Sequence, residues 1–108
     1  MNVLKLKELA TTQAEKMAKV DLVQSKNLLA GLNCFAPGQA HKPHTHAGQD
    51  KLYVVLQGSG LFSLNNEETR LSEGEMLHVP EDASHGVVND GDTPLVVLAV
   101  ITPNPLHK

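Results

Sequence analysis

The residues best suited to chemistry in this 108-residue chain are histidines, of which it has six. His44 and His46 are two positions apart, so in a strand both imidazoles would point to the same face of a sheet. Two imidazoles at a fixed separation suit one divalent transition metal such as Mn, Fe, Ni, Zn or Cu. A third histidine, His85, follows the turn-rich stretch PEDAS and begins the apolar stretch HGVVN. These three histidines are the candidate metal ligands.

Short apolar segments rich in Val and Leu surround these histidines from about residue 21 onward. Gly, Pro, Asn and Asp separate the segments, as is typical of turns. The pattern predicts strands near residues 21–25, 27–35, 51–57, 60–64, 69–72, 75–79, 85–89 and 94–102. No helix long enough for a parallel crossover lies between them, so we expect an all-β jelly roll of two packed sheets. Before residue 21, imperfect helical spacing predicts a short irregular or helical segment.

Two blocks of regularly spaced residues enclose the histidines. The first, G-x5-H-x-H-x3-D-x7-G, covers residues 38–58, and the second, G-x5-P-x-D-x2-H-x3-N, covers residues 74–89. With this spacing the sequence resembles the cupin superfamily, whose blocks are G-x5-H-x-H-x(3,4)-E-x6-G and G-x5-P-x-G-x2-H-x3-N. The resemblance implies a single cupin domain over residues 1–108, folded as a double-stranded β-helix. It also implies that His44, His46 and His85 match the family's metal-binding histidines.

One departure from the family pattern bears directly on the metal. The family's fourth ligand is a glutamate six residues before the closing glycine, and in this chain Lys51 stands there. A protonated lysine has no acceptor and cannot bind a metal. Either Asp50 is the fourth ligand, re-aimed by a β-bulge, or three histidines hold the metal while Lys51 points into the pocket. In the second case Asp50 or a bound anion would be the partner of Lys51.

Three further side chains are assigned roles from their positions. Tyr53 has the same strand parity as Lys51, so it would contact a substrate if Lys51 faces inward. His41 lies three residues before His44, and Pro43 blocks a helix there, so we expect His41 on the surface. His78 is expected to be half-buried. The candidate substrate contacts are therefore Lys51 and Tyr53.

Composition and charge exclude several classes of partner. Nine basic and twelve acidic residues give a net charge of −3, and no basic stripe suggests nucleic acid. The apolar stretch at residues 95–101 is too short to span a membrane. The first residues show no apolar segment of secretory type. Cys34 is the only cysteine and is expected to be buried, which indicates a cytoplasmic protein.

The stretch LVVLAVI at residues 95–101 is apolar on both faces, so a strand there needs cover on both sides. A second subunit is the simplest source of that cover, which predicts a homodimer, as the resemblance also implies. Two functions remain open. One is a metal-dependent dioxygenase, decarboxylase or isomerase acting on a small polar or anionic metabolite, because three histidines leave coordination positions open. The other is a module that binds or senses a small molecule without chemistry, and a metal-free barrel that only mediates association is a third hypothesis.

Overall fold

The computed structural model describes residues 1–106 of the chain, and it confirms the all-β prediction. Those residues form one helical turn and nine strands: α1 Leu6–Leu9, β1 Ala18–Gln24, β2 Leu29–Phe35, β3 Ala40–His44, β4 Asp50–Gln57, β5 Ser59–Leu64, β6 Glu67–Ser72, β7 Met76–Val79, β8 His85–Val88 and β9 Leu95–Thr102. A five-stranded sheet has the order β1-β2-β9-β4-β7, and a four-stranded sheet has the order β3-β8-β5-β6. Every pairing between neighbouring strands is antiparallel. No helix in this part of the chain is long and apolar enough to cross a membrane.

Two strands differ most from the expectation drawn from the sequence. The pattern near residues 21–25 predicted the first strand too late, since β1 begins at Ala18. It did not mark a separate strand over Ala40–His44, where the sequence is AHKPH. A polar stretch with an internal proline lacks the alternation that identifies a strand. In the fold it pairs with β8, which supplies the apolar residues that β3 lacks.

The hydrophobic core lies between the two sheets and is formed by alternate residues of their strands. Phe35, Tyr53, Phe62, Leu95 and Val97 are fully buried there. The rings of Tyr53 and Phe62, one from each sheet, are 5.5 Å apart at their centroids and approach edge to face. Each such side chain contributes about 1.5–3 kcal/mol by leaving water. The core therefore holds the sheets at a fixed separation on which the neighbouring site depends.

The N-terminal segment covers part of the outer face of the five-stranded sheet. Ala10 packs against a second apolar cluster that contains Leu32, Cys34 and Val96. Burial raises the pKa of the Cys34 thiol, and the backbone of Thr11 opposes that rise to a smaller extent. The buried, unpaired cysteine agrees with the sequence prediction. Part of the cover that β9 needs is thus supplied by the chain itself.

The other part of this outer face has no such cover within the described residues. Leu52 and Val54 of β4 lie beside Leu98 and Val100 of β9, all four half-buried. Met76 of β7 pairs with Val54 and is 58% exposed. An apolar strip therefore runs across three neighbouring strands.

Asn89, at the end of β8, fixes two loops through its buried side chain. Its amide nitrogen donates to the carbonyl oxygens of Phe35 and Thr93, each at 2.9 Å. Its amide oxygen accepts from the backbone N–H of Gly91 at 3.1 Å. Asn89 is fully buried, so these bonds replace its contacts with water completely. The side chain therefore links the end of β2 to the loop before β9.

We expect Asn89→Ala to lower the free energy of unfolding by about 2–4 kcal/mol, because it leaves buried backbone groups without partners. Urea denaturation followed by circular dichroism measures this loss. The exposed Asn27 provides the control, since Asn27→Ala should change stability by no more than about 0.5 kcal/mol. Equal stability of the two variants would contradict the structural role of Asn89.

Candidate metal centre

The three predicted histidines come together on the inner face of the four-stranded sheet. His44 is the last residue of β3 and pairs directly with His85, the first residue of β8. His46 lies in the loop that follows β3, not in the strand. The His85 ring centroid is 4.2 Å from that of His44 and 5.5 Å from that of His46. One ring nitrogen from each histidine lies within 4.8 Å of the others.

Backbone carbonyls orient two of the three rings. His44 Nδ1 is 2.8 Å from the carbonyl oxygen of Lys42, and His85 Nδ1 is 3.0 Å from that of Ala83. A carbonyl oxygen only accepts, so both Nδ1 atoms carry the proton and both Nε2 atoms present a lone pair. His44 Nε2 is buried without a hydrogen-bond partner in residues 1–106. A ring that a backbone bond holds through Nδ1 and that presents a lone pair at Nε2 is a typical metal ligand.

Burial keeps the imidazoles neutral. It is the largest cause that lowers the pKa of His44, His46 and His85, and the charge of Lys51 lowers each pKa further. The pKa of His85 falls to about 4. Neutral imidazoles are the form that binds a metal, so no proton has to leave at neutral pH. The donor set therefore fits a divalent transition metal.

The structure places Lys51, and not Asp50, beside these histidines. Lys51 is 4% exposed, and its Nζ lies 3.4 Å from Nε2 of His85. The Asp50 side chain is 61% exposed on the opposite face of β4, where its carboxylate lies 3.3 Å from Nε2 of His78. The bulge that would re-aim Asp50 is absent there, because the register of β4 against β9 is regular at residues 50–51 and shifts only between Val55 and Gln57. The prediction of Asp50 as fourth ligand is therefore not supported by its position.

Lys51 has no acidic partner within 4.0 Å among residues 1–106. Its ammonium lies over the ring of Tyr53, 4.7 Å from the centroid, in a cation–π contact. It also donates toward the lone pair of His85 Nε2, the atom that a metal would use. Burial, and then the charge of Lys19, lower the pKa of Lys51 to about 8. Lys51 is thus a buried cation that two neutral rings stabilise.

Tyr53 lies deeper than the sequence suggested. Its side chain is fully buried in the core, and it does not line the cavity that adjoins the histidines. Its hydroxyl has no hydrogen-bond partner in the described residues, and burial raises its pKa above the ordinary value. The tyrosine supports Lys51 through its ring. Its predicted contact with a substrate would require the ligand to reach past Lys51.

The expectation that His41 lies on the surface is wrong. Its ring is half-buried, 4.1 Å from that of His44, and burial lowers its pKa to about 3. A register shift between His41 and His44 turns both side chains to the interior, although they are three residues apart. Pro43 was the available signal, because proline within a strand marks a bulge. His78 is more exposed than the half-buried position that the sequence predicted, since its side chain is 56% exposed on the outer face.

A cavity of about 420 Å³ adjoins the histidines between the two sheets. His41, His44, His46 and Lys51 contribute to one part of its wall, together with Lys19 and Asp21 of β1. Apolar residues form much of the remainder: Leu29, Ala99, Ile101, Pro105 and Leu106. Its volume lies in the range of sites that hold small molecules, and its polar groups are concentrated beside the candidate metal ligands.

The jelly-roll fold and the histidine cluster agree with the protein family that the sequence matches. The cupin domain model matches residues 31–101, so the chain belongs to the cupin superfamily. It is similar over most of its length to the crystal structure of TT1209 from Thermus thermophilus, with 40% identity and a TM-score of 0.94; the match covers 97% of this chain and 100% of that one.

Two curated proteins are similar over the central part of the chain. An oxalate-binding protein from Thermotoga maritima is 34% identical over 65 residues, which are 60% of this chain and 54% of that protein. Gentisate 1,2 dioxygenase 1 from Aquipseudomonas alcaligenes is 33% identical over 70 residues, 65% of this chain and 20% of that protein. The chain spans about half the length of the first curated relatives it matches.

The lowered pKa of His85 makes the stability of the metal-free protein depend on pH. Between the ordinary value of 6.5 and about 4, the unfolded chain holds a proton on this histidine that the folded chain lacks. The free energy of unfolding should therefore fall as the pH drops through this range. We expect His85→Gln to reduce that fall, as measured by urea denaturation after chelation near pH 7 and near about pH 4.5.

The exposed His78 provides the matched control, because His78→Gln removes a histidine outside the cluster. On acidification this variant should lose more stability than the His85→Gln variant does. If the His85→Gln variant loses stability on acidification by as much as the parent, burial of His85 in its neutral form would be contradicted.

Proposed function

We propose that this cupin binds one divalent transition metal through His44, His46 and His85, and a small polar or anionic metabolite in the adjoining cavity. The observation that carries the proposal is the convergence of three neutral imidazoles, two with Nδ1 bonded to backbone, beside a cavity of about 420 Å³ whose wall includes two of them, His44 and His46. Imidazole ligands accept Zn, Cu, Fe, Ni and Mn, so the metal in the cell follows availability.

Lys51 supports an anionic ligand. A buried ammonium without a carboxylate partner is costly, and an anion in the cavity would offset that cost. Lys19 adds positive charge to the same cavity, although Asp21 lies on the same strand and opposes it. The similar oxalate-binding protein from Thermotoga maritima is named for a small dianion, which agrees with this class of ligand.

The favoured activity is that of a metal-dependent dioxygenase, decarboxylase or isomerase. Three protein ligands leave coordination positions open, and a bound metal would act there as a Lewis acid toward the substrate. The chain's own residues would hold the substrate: Lys51 binds its anionic group, the apolar wall excludes water, and His41 stands beside His44 within reach of the cavity. The similar gentisate dioxygenase shows that one relative is an oxygenase.

A second candidate is a module that binds or senses the small molecule without changing it. One contact favours it, because Lys51 Nζ lies 3.4 Å from the His85 Nε2 that would otherwise bind the metal. Among residues 1–106, the histidine cluster also includes no carboxylate that could act as general acid or base. Incubation of metal-loaded protein with small carboxylic acids, followed by mass spectrometry, separates the two: binding without product supports the module.

We expect His85→Ala to lower metal content by about tenfold or more, since loss of even an outer partner of a metal ligand costs about 10–100-fold in affinity. Elemental analysis of purified protein measures the bound metal per chain. His78→Ala, which changes an exposed histidine on the outer face, should keep the metal content of the parent. Equal metal content in the parent and the His85→Ala variant would overturn the proposed site.

We also propose that the chain forms a homodimer through the apolar strip of Leu52, Val54, Met76, Leu98 and Val100. These residues lie on three adjacent strands of one sheet, and Leu98 alone of the five packs against the apolar cluster that Ala10 of the N-terminal segment also contacts. Burying them against a second copy removes apolar surface from water. The cytoplasmic location stays a prediction, which the buried unpaired thiol of Cys34 supports.

We expect the parent chain to sediment as a dimer and the Val54→Arg variant as a monomer, because a charge in an apolar interface loses its hydration. Analytical ultracentrifugation at micromolar concentration measures the mass. Val88 is the matched control, since it is 39% exposed on the other sheet. Val88→Arg should remain dimeric, and a parent chain that sediments as a monomer would rule out this interface.

A further inference from the structure

We propose that the ligand itself completes the metal site: a carboxylate group of the small molecule lies between the metal and Lys51, so that metal and carboxylate bind with positive coupling. The inference rests on the metal site proposed above and adds the position and the effect of the anion. It assigns to Lys51 the role of recruiting an external ligand at the place where a protein carboxylate would otherwise stand.

The first observation is the composition of the cluster. Among residues 1–106 the candidate ligands are three histidines, all of them neutral donors. The adjacent carboxylate, Asp50, is turned to the outer face and contacts His78. A divalent ion held by these residues would therefore keep its full charge in a partly buried place, where an uncompensated charge is costly.

The second observation is the position of Lys51. Its Nζ is 3.4 Å from one of the candidate ligand atoms, and the side chain is 4% exposed. The ring of Tyr53, 4.7 Å from Nζ, supports the ammonium at this place. Two positive charges this close repel each other strongly where water is excluded. The metal and Lys51 therefore oppose each other when nothing lies between them.

A carboxylate placed between the metal and Lys51 is attracted to both positive charges and so offsets their repulsion. One oxygen can bind an open position of the metal while the other accepts from the three donors of the lysine. The cavity that Lys51, His44 and His46 line leaves room for such a group and for the rest of a small molecule. Coupling between two ligands is reciprocal, so the carboxylate must raise the affinity for the metal by the same factor by which the metal raises the affinity for the carboxylate.

The test measures metal affinity with and without a simple carboxylate. Metal-free parent protein is titrated with Co²⁺ in acetate and in chloride at equal ionic strength, by calorimetry and by the d–d absorption of cobalt. We expect acetate to raise the affinity for Co²⁺ by about tenfold, within the usual range of coupling between sites. Acetate should also change the cobalt spectrum, because it enters the coordination sphere.

Substitutions at Lys51 separate this inference from a general effect of acetate. Lys51→Met removes the repulsion, so Co²⁺ should bind more tightly than to the parent in chloride, and acetate should add less. Lys51→Glu supplies a carboxylate within the chain, so binding should be tight in both salts. Lys26→Met, which removes an exposed lysine in the β1–β2 turn, should behave like the parent. Circular dichroism confirms that each variant is folded. If Lys51→Glu does not fold, the comparison of the parent with Lys51→Met is sufficient for the test.

The possible results have distinct meanings. If the parent binds Co²⁺ equally in acetate and chloride, the coupling is refuted while the metal site stands. If acetate strengthens binding equally in the parent and in Lys51→Met, the role of Lys51 is refuted. If the parent binds no metal in either salt, the proposed function fails, and this inference fails with it.

Discussion

The antiparallel pairing of β3 with β8 is the constraint on which the site depends. It brings His44 and His85 together as directly opposite residues, although they are far apart in the chain. The register shift within β3 also turns His41 inward. Gly86 makes this close pairing possible, since a Cβ there would lie 3.0 Å from both the His41 carbonyl oxygen and the Pro43 nitrogen. The absence of a side chain at this glycine thus allows His41, His44 and His85 to share one face of the sheet.

The sequence was sufficient for the fold class and for the three histidines, because both depend on spacing that the chain carries locally. Turn residues mark the strands, and the two blocks fix His44, His46 and His85. The sequence was not sufficient for Asp50 and Lys51, whose orientation depends on where β4 is irregular. The register shift lies between Val55 and Gln57, beyond both residues, so of the two alternatives the inward turn of Asp50 does not occur and Lys51 faces inward. The inward position of His41 was not predicted, because the register of β3 shifts between His41 and His44 and turns both side chains to the same face.

Lys51 lowers the stability of the fold that contains it. Burial, and then the charge of Lys19, lower its pKa from 10.5 to about 8, which corresponds to about 3 kcal/mol in favour of the neutral form. The cation–π contact with Tyr53 contributes roughly 0.5–2 kcal/mol and does not remove this cost. A methionine would fill a similar volume without a charge to desolvate. A buried lysine in a cavity beside three histidines is therefore better explained by what it binds than by what it packs against.

The buried polar atoms without hydrogen-bond partners are also concentrated around the histidine cluster. Folded proteins pair nearly all their buried polar groups. In the described residues three buried side-chain atoms have no partner: His41 Nδ1, His44 Nε2 and the Tyr53 hydroxyl. The His41 and His44 rings are in contact, and the Tyr53 ring is 5.9 Å from that of His85. If these atoms reflected imperfect packing, they would be scattered through the fold. Their concentration around one cluster, beside a lysine with no acidic partner among residues 1–106, agrees with the proposed site for a metal and a ligand.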